Sequence, residues 1–336
     1  TPLPRAGQCP LSGVMASNLE FLKRRPVVVK ISNSVAARPQ TGLDSADLVF
    51  EYLTEGGITR FAAIFLCQEV KYLGSIRSAR LLDLELMPMF DAVFAYSGAS
   101  DYIAGCIRHS PVGAVAFNEN NRAFFRARGL RRAFEHTLFL NIKVLREEMA
   151  QRGLEKEVQL KGLTFSQEVP LGGRPATYLS IPYWGYGMEV EYRYDPETGL
   201  YLRYTAGKRH LTMDLNTGAL QDQLAPANVI VLYARHWQKP IQDPKYTHTL
   251  AIDLNGKGEA LILRDGRAYQ VEWVREETGQ MLHYRDAEGK PFPLKPGQTW
   301  VQVVPVDFEI EVRWDTKYWP GYQFDLPVEA VPALWE

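Results

Sequence analysis

The sequence lacks the features that mark several common classes of protein. Its three cysteines form no Cys-x-x-Cys pair and no spacing typical of zinc ligands, so we expect no metal site. No run of about 18 apolar residues occurs, and we therefore expect no membrane-spanning helix. The formal net charge is only −1, which argues against a nucleic-acid partner.

Further absences argue against a serine hydrolase and against a bound cofactor. No Gly-x-Ser-x-Gly sequence is present, which argues against a serine hydrolase of the α/β type. Gly256-Lys257-Gly258 lies between strand-like runs rather than before a helix, so we expect no nucleotide cofactor and no other cofactor. Cys67 and Cys106 lie in apolar runs and are interpreted as small core residues. One disulfide is compatible with three cysteines, but their spacing does not indicate it.

Positive charge is concentrated in the first half of the chain. Residues 1–166 carry 21 Lys and Arg against 16 Asp and Glu, and 15 of those cations are Arg. Arg makes bidentate contacts with carboxylate and phosphate groups, so an anionic ligand is sought in this half. The alternative is that these Arg side chains only cover a solvated surface.

Periodicity predicts a mixed α+β protein. After an irregular segment at 1–25, strands and helices interleave over residues 26–165, which predicts an α/β domain. Short β-rich runs between turn sequences then predict a mostly antiparallel β domain at 166–320, followed by a tail at 321–336. The predicted strands include Val27–Ser32, Asp47–Glu55, Thr59–Leu66, Ala92–Tyr96, Val112–Phe117, Val229–Tyr233, Ala260–Leu263, Tyr269–Val274 and Trp300–Val304. The predicted helices are Gly74–Phe90, a segment from Asp101 to about His109, and Leu140–Arg152.

Motifs along both halves resemble a known family. In the first half they are Arg25-Pro26-Val27-Val28-Val29, Ala37-Arg38-Pro39-Gln40-Thr41-Gly42, Glu55-Gly56-Gly57-Ile58-Thr59-Arg60-Phe61, Gly74-Ser75-Ile76-Arg77-Ser78-Ala79-Arg80 and Gly98-Ala99-Ser100. In the second half they are Tyr194-Asp195-Pro196-Glu197-Thr198-Gly199 and Pro296-Gly297-Gln298-Thr299-Trp300. These motifs are similar to the DUF3048 family of YerB-like bacterial lipoproteins, over roughly 9–165 and 175–306.

The resemblance implies a cellular location but no activity. It implies an extracytoplasmic cell-envelope protein that is anchored to the membrane by a lipid. The signal segment of such a lipoprotein is not part of this sequence. In one place the sequence departs from the family: Phe134-Glu135-His136-Thr137 replaces a Pro-His-Asn-like stretch, which puts a special role for His136 in doubt.

Polar residues of the first half form a candidate ligand site. Arg77 and Arg80 would face together if Ser78 or Ser75 opened a helix, whose N-terminus favours anions. The two-residue repeat of the strand places Glu51 and Glu55 on the same face. The predicted ligand-binding residues are Asn33, Arg38, Gln40, Glu51, Glu55, Thr59, Arg60, Ser75, Arg77, Ser78, Arg80 and Ser100. The alternative is an internal salt-bridge network that fixes the loop 33–42, with Ser100 only capping the next helix.

Three functions stay open. The first is a non-catalytic envelope protein that binds an anionic small molecule or a cell-wall component at this site. The second is an enzyme acting on a phosphorylated envelope precursor, with Glu51 or Glu55 as base or metal ligand. The third is a non-catalytic scaffold for cell-wall synthesis proteins, in which the Arg and Glu residues are purely structural. The sequence identifies no catalytic residue, and we favour binding over catalysis. Tyr183-Trp184-Gly185-Tyr186-Gly187 is the best candidate for stacking on a sugar, with a place in the core as the alternative.

Overall fold

The computed structural model describes residues 6–118 and 121–313. The predicted tail at 321–336 lies outside the described residues. The α-helices are α1 (Asp83–Met89), α2 (Asp101–Arg108) and α3 (Ile142–Gln151). Single 3-10 turns lie at Leu19–Lys23, Val35–Ala37, Leu43–Ser45, Glu55–Gly57 and Phe134–His136. None of the helices in the described ranges is long and apolar enough to cross a membrane.

Strands make up most of the structure. In the first half they are β1 (Val27–Ser32), β2 (Leu48–Leu53), β3 (Thr59–Phe65), β4 (Tyr72–Gly74), β5 (Val93–Tyr96), β6 (Ala114–Ala116), β7 (Phe124–Arg126), β8 (Leu138–Asn141) and β9 (Thr164–Phe165). They continue as β10 (Arg174–Pro175), β11 (Tyr178–Ile181), β12 (Val190–Asp195), β13 (Leu200–Thr205), β14 (Lys208–Arg209), β15 (Leu211–Met213), β16 (Leu220–Gln223), β17 (Asn228–Ala234) and β18 (His236–Pro240). The last are β19 (His248–Ile252), β20 (Gly256–Arg264), β21 (Arg267–Arg275), β22 (His283–Arg285), β23 (Pro293–Leu294), β24 (Thr299–Pro305) and β25 (Glu311–Arg313). The predicted α+β class, with a mostly β second half, is confirmed.

One large sheet runs through both halves of the chain. Its strand order is β10-β21-β20-β17-β24-β2-β3-β1-β5-β6, with β22 on the outer side of β21. The two halves join where β2 pairs in parallel with β24, from Leu48 opposite Thr299 to Tyr52 opposite Val303. The sheet therefore crosses the domain boundary that the sequence predicts near residue 165.

The large sheet separates two apolar layers. Leu48, Phe50 and Tyr52 of β2 point into one layer, which we call face A, while Val49 and Leu53 point into the other, face B. This alternation is the normal consequence of the two-residue repeat of a strand. Helices α1 and α2 cover face A. Helix α3 and a second sheet, in the order β14-β13-β12-β11-β25, cover face B.

The predicted helix at Gly74–Phe90 is mostly wrong. The chain is extended through β4 and irregular to Leu82, and only Asp83–Met89 is helical. Tertiary partners take the backbone groups that a helix would need: Ile76 N–H donates to the Leu138 carbonyl, and Arg77 N–H donates to the Lys30 carbonyl. Neither Ser75 nor Ser78 opens a helix. The predicted strand Val27–Ser32 and the helix beginning at Asp101 are confirmed.

A disulfide joins the N-terminal segment to the end of β3. Cys9 and Cys67 are bonded and fully buried, so Cys67 is a cross-link rather than a free core thiol. Asp47 lies against them and accepts hydrogen bonds from the amides of Leu66 and Cys67, at 2.7 and 2.9 Å. Cys106 is free and half-buried on α2 rather than in the core. The cross-link depends on the return of the N-terminal segment to β3, which spacing cannot reveal.

Candidate functional site

The large sheet divides the predicted site residues into two groups. Glu51 points to face B, whereas Glu55 lies in the turn after β2 and contacts Arg80 on the side of face A. The prediction that Glu51 and Glu55 share a strand face is therefore wrong. Strand β2 ends at Leu53, and the 3-10 turn that follows redirects the chain before Glu55.

The first group is a buried network on face B, formed by Asn33, Arg38, Gln40, Glu51 and Thr59 with Arg203 and His210 of the second half. Its centre is an ion pair between Glu51 Oε2 and Arg203 Nη2, 2.8 Å apart, with both side chains fully buried. Glu51 Oε1 accepts hydrogen bonds from Asn33 Nδ2 at 2.9 Å and from the Thr59 hydroxyl at 2.7 Å. Burial opposes the charge of Arg203, but Glu51 and Tyr192 outweigh it and raise the pKa of Arg203 above its ordinary value.

His210 is a neutral member of the buried network. Its Nε2 lies 2.8 Å from Gln40 Oε1, and its Nδ1 lies 3.1 Å from Arg203 Nε. Arg203 can only donate, so Nδ1 accepts and Nε2 carries the proton. Burial, with Arg203 and Arg38 nearby, holds the pKa of His210 well below its usual range. A neutral imidazole therefore lies between Arg203 and Gln40.

Arg38 fastens the loop 33–42 to the second half of the chain. It donates to the Asn33 carbonyl at 2.7 Å, to Asn33 Oδ1 at 3.1 Å and to the Gly187 carbonyl at 2.8 Å. Burial and the neighbouring Arg203 lower the pKa of Arg38 to about 10. Asn33, Gln40, Glu51 and Thr59 are inaccessible to solvent. These positions favour the structural alternative for this group.

The second group is the arginine cluster, formed by Arg60, Arg77 and Arg80 with Glu55 and Ser78. Arg80 is paired with Glu55 and also donates to the Ala79 carbonyl at 2.8 Å. Arg60 donates to the Ser78 carbonyl at 2.8 Å, and Arg77 Nη2 lies 3.3 Å from His136 Nδ1. Within residues 6–118 and 121–313, no carboxylate forms an ion pair with Arg60 or Arg77.

The arginines depress one another's pKa. Burial lowers the pKa of Arg60 to about 10, and Arg80 and Arg77 add to the shift. Burial and Arg80 also lower the pKa of Arg77, although Glu135 opposes them. The pKa of His136, which faces Arg77, is lowered by burial and by that arginine. His136 is thus a neutral acceptor for Arg77 at pH 7.

A buried trio underlies the arginine cluster. Lys30 contacts the Tyr52 hydroxyl and lies 3.1 Å from Asp83 Oδ1, with Lys30 and Asp83 fully buried. Burial lowers the pKa of Lys30 to about 7; Asp83 opposes this shift, and Arg60 and Arg80 add to it. Lys30, Arg60 and Arg80 therefore lie near one another on face A, where Asp83 is paired with Lys30 and Glu55 with Arg80.

A cleft of about 250 Å³ opens beside the arginine cluster, between the two halves of the chain. Glu55, Ser78, Arg80 and Ser100 line its first wall. The hairpin β18–β19 supplies the other wall, where the Thr249 hydroxyl donates to Glu55 at 3.1 Å. Arg60 and Arg77 lie behind Arg80 and Ser78 and are not among the residues that line this cleft. Ser75 does not reach the cleft, because it is fully buried and donates to the His136 carbonyl at 2.5 Å.

Ser100 and Asp243 meet at the start of α2. The Ser100 hydroxyl accepts a hydrogen bond from Ile103 N–H at 3.3 Å, which is the capping role given above as its alternative. Asp243, from the hairpin tip, accepts from Tyr102 N–H at 3.0 Å. Hydrogen bonds from Tyr102 and Lys245 amides lower the pKa of Asp243. A carboxylate of the protein itself therefore occupies the anion-favouring end of this helix.

Sequence reasoning missed the partners that come from the second half. Arg203 and His210 complete the buried network, and Asp243 and Thr249 complete the cleft. Arg203 lies in β13 and His210 lies between β14 and β15, but nothing in the sequence pairs them with Glu51 and Gln40. The weak signal available was the charged residue Arg203 at an inward position of an apolar strand.

Comparison with known proteins assigns the chain to a class of two-domain proteins. Residues 11–155 match the N-terminal domain, and residues 179–301 the C-terminal domain, of the family described as protein of unknown function DUF3048. The chain belongs to this family. It is 29% identical over 304 residues to "Putative lipoprotein YerB" of Bacillus subtilis (strain 168), covering 89% of this chain and 86% of that protein.

A solved structure has the same fold. The crystal structure of YerB protein from Bacillus subtilis matches with a TM-score of 0.74 at 28% identity. The match covers 91% of this chain and 99% of the crystallised chain. The family resemblance drawn from the motifs is confirmed, and the family carries no assigned activity.

Proposed function

We propose that the protein is an extracytoplasmic, membrane-anchored envelope lipoprotein that binds an anionic ligand at the arginine cluster. The extracytoplasmic location is supported by the similarity to a protein named as a "putative lipoprotein". The disulfide between Cys9 and Cys67 adds independent support, because disulfides persist mainly in oxidising compartments.

One observation carries the ligand proposal: Arg60 and Arg77 lack a carboxylate partner within the described ranges, beside a cleft that Arg80 lines. Partly buried guanidinium groups are costly to leave without a counter-charge. A phosphate or carboxylate between them would provide that charge and accept several N–H donors at once. Ser78 would add a hydroxyl donor at the rim.

Binding fits the cleft better than catalysis does. Burial raises the pKa of Glu55, but Arg80 and hydrogen bonds outweigh burial and leave this pKa below its ordinary value. A carboxylate of that kind is a poor general base near neutral pH. Glu51, the other carboxylate considered as a base, lies on face B with Arg203. An enzyme acting at this cleft would need a catalytic base other than Glu51 or Glu55.

Calorimetric titration with inorganic phosphate, pyrophosphate and citrate tests the proposal. We expect pyrophosphate or citrate to bind the full chain, and the Arg77→Ala variant to bind the same probe at least about tenfold more weakly. Arg267→Ala is the matched control, because Arg267 is exposed and lies on β21, far from the cleft. Equal affinity of the wild-type and Arg77→Ala proteins for every probe would contradict the proposal.

A further inference from the structure

A second, larger groove lies on the opposite side of the sheet from the arginine cluster. Its volume is about 650 Å³, and it is bounded by the loop containing Val35 and Arg38, the segment Tyr183–Glu189 and the turn into β14. This volume is within the range of about 300–1,000 Å³ that is common for small-ligand sites. We propose that this groove binds an acidic carbohydrate through the rings of Trp184 and Tyr186.

The groove concentrates apolar side chains that the fold leaves uncovered. Trp184 is 54% exposed and Tyr186 is 92% exposed, and both line the groove together with the exposed Val35 and Leu220. Trp184 packs against Phe308 with 5.4 Å between the ring centres, so part of the indole is supported and part is open. Supported aromatic rings with an open face are suited to stacking on the C–H face of a sugar ring.

The backbone holds these rings in a fixed place. Gly185 N–H donates to the Gly57 carbonyl at 2.9 Å, and a Cβ atom at Gly185 would come within 2.5 Å of that oxygen. Gly187 has φ +67°, and its carbonyl accepts from Arg38 at 2.8 Å. The absence of a Cβ atom permits the close approach at Gly185 and the left-handed conformation at Gly187. The exposed rings are therefore presented by a clamped segment, which reduces the entropy cost of binding.

Charge at the groove favours an acidic sugar over a neutral one. The charged residues that line it are Arg38, Lys208, Arg209 and Glu189, so cations outnumber the carboxylate. Lys208 and Arg209 are exposed at the rim. Arg209 Nε donates to Gln223 Oε1 at 2.7 Å, and the two terminal nitrogens of the guanidinium group take no part in that bond. Aromatic rings beside several cationic donors match a ring-shaped ligand that carries hydroxyls and carboxylates.

A protein partner fits the groove less well. Stable protein interfaces bury about 800 Å² on each partner and have a broad apolar centre. Among the groove residues that the structure describes, only four large apolar side chains are exposed, and they surround a concave space. The groove also differs from the proposed anion site in location and chemistry, so each proposal can fail without the other.

The test is titration of the full chain with an acidic sugar, tetragalacturonate, and with a neutral one, chitotetraose. Binding is measured by tryptophan fluorescence and by calorimetry. We expect tetragalacturonate to bind more tightly, and Trp184→Ala and Tyr186→Ala each to weaken it about tenfold or more. Both side chains are exposed, and unchanged thermal unfolding would show that the variants fold. Lys208→Gln combined with Arg209→Gln should remove the preference for the acidic sugar.

Tyr246→Ala is the matched aromatic control, because Tyr246 is 55% exposed but lines the other cleft. This variant should bind tetragalacturonate like the wild type. Three results would overturn the proposal: no binding of either sugar at millimolar concentration, equal binding by Tyr186→Ala, or loss of binding in Arg77→Ala alone. Trp184-dependent dimerisation in sedimentation would also overturn it, by assigning the groove to a second copy of the chain.

Discussion

At the scale of residues, the charges that look alike in sequence have different roles. Glu51 and Glu55 are both carboxylates of the same hairpin, yet Glu51 forms a buried ion pair with Arg203 and Glu55 forms a half-exposed pair with Arg80. Removal of one partner of a buried pair typically costs about 3–5 kcal/mol, whereas exposed pairs contribute little. The difference arises from which face of the sheet each carboxylate occupies.

His210 allows a prediction of how stability depends on pH. Its pKa lies well below 6.5 in the folded protein, so at acidic pH the unfolded chain binds a proton that the folded chain does not. Stability is therefore present above about pH 6.5 and is lost as the pH falls toward the folded-state pKa. Acidification from pH 7 to pH 5 should therefore lower the free energy of unfolding through this group.

Urea unfolding of the wild type and His210→Gln at pH 7 and pH 5 measures this effect. The variant should be less stable at pH 7, because Gln40 and Arg203 lose a partner, but should lose less stability than the wild type on acidification. His136, His236 and His283 also have lowered pKa values and stay in the variant, so some pH dependence remains. An identical pH dependence in both proteins would show that His210 titrates normally.

At the scale of elements, propensity predicted strands better than it predicted helix starts. β1 and the hairpin of β2 and β3 follow from apolar runs separated by Gly56 and Gly57. The segment before α1 has helical spacing, but its amides bond to other strands instead. Propensity is a weak preference of a few tenths of a kcal/mol per residue, and tertiary hydrogen bonds override it here.

The disulfide should contribute strongly to the stability of the N-terminal segment. Cys9 and Cys67 are 58 residues apart, and closing a loop of that length in the unfolded chain corresponds to about 4 kcal/mol. The double variant Cys9→Ser, Cys67→Ser should lose about that much free energy of unfolding in urea. Cys106→Ser is the control and should unfold like the wild type. An unaltered midpoint in the double variant would contradict the prediction.

At the scale of the whole molecule, the continuous sheet makes the first half dependent on the second. β2 pairs on one side with β3 of its own half and on the other with β24. Without the second half, β2 would become an edge strand, and Glu51 would lose Arg203. An exposed edge and an unpaired buried carboxylate both destabilise a fold.

We therefore expect a fragment of residues 1–165 not to fold cooperatively, although the family description divides the chain near this point. Circular dichroism and urea unfolding of the fragment should show a broad transition, or none, whereas the full chain should unfold steeply. A sharp, two-state transition of the isolated fragment would show that its core suffices and that the shared sheet is dispensable.

The sequence by itself determined the family, the α+β class, nine strands of the large sheet and the concentration of Arg in the first half. These features depend on local patterns, namely alternation, turn residues and contiguous motifs, which are visible along one stretch of chain. Only the tertiary structure decided that Glu51 and Arg60 face opposite sides of the sheet, that Arg203 neutralises one and that no carboxylate in the described ranges pairs with the other. Such pairings depend on strand order and on contacts between distant segments, and no local pattern records them.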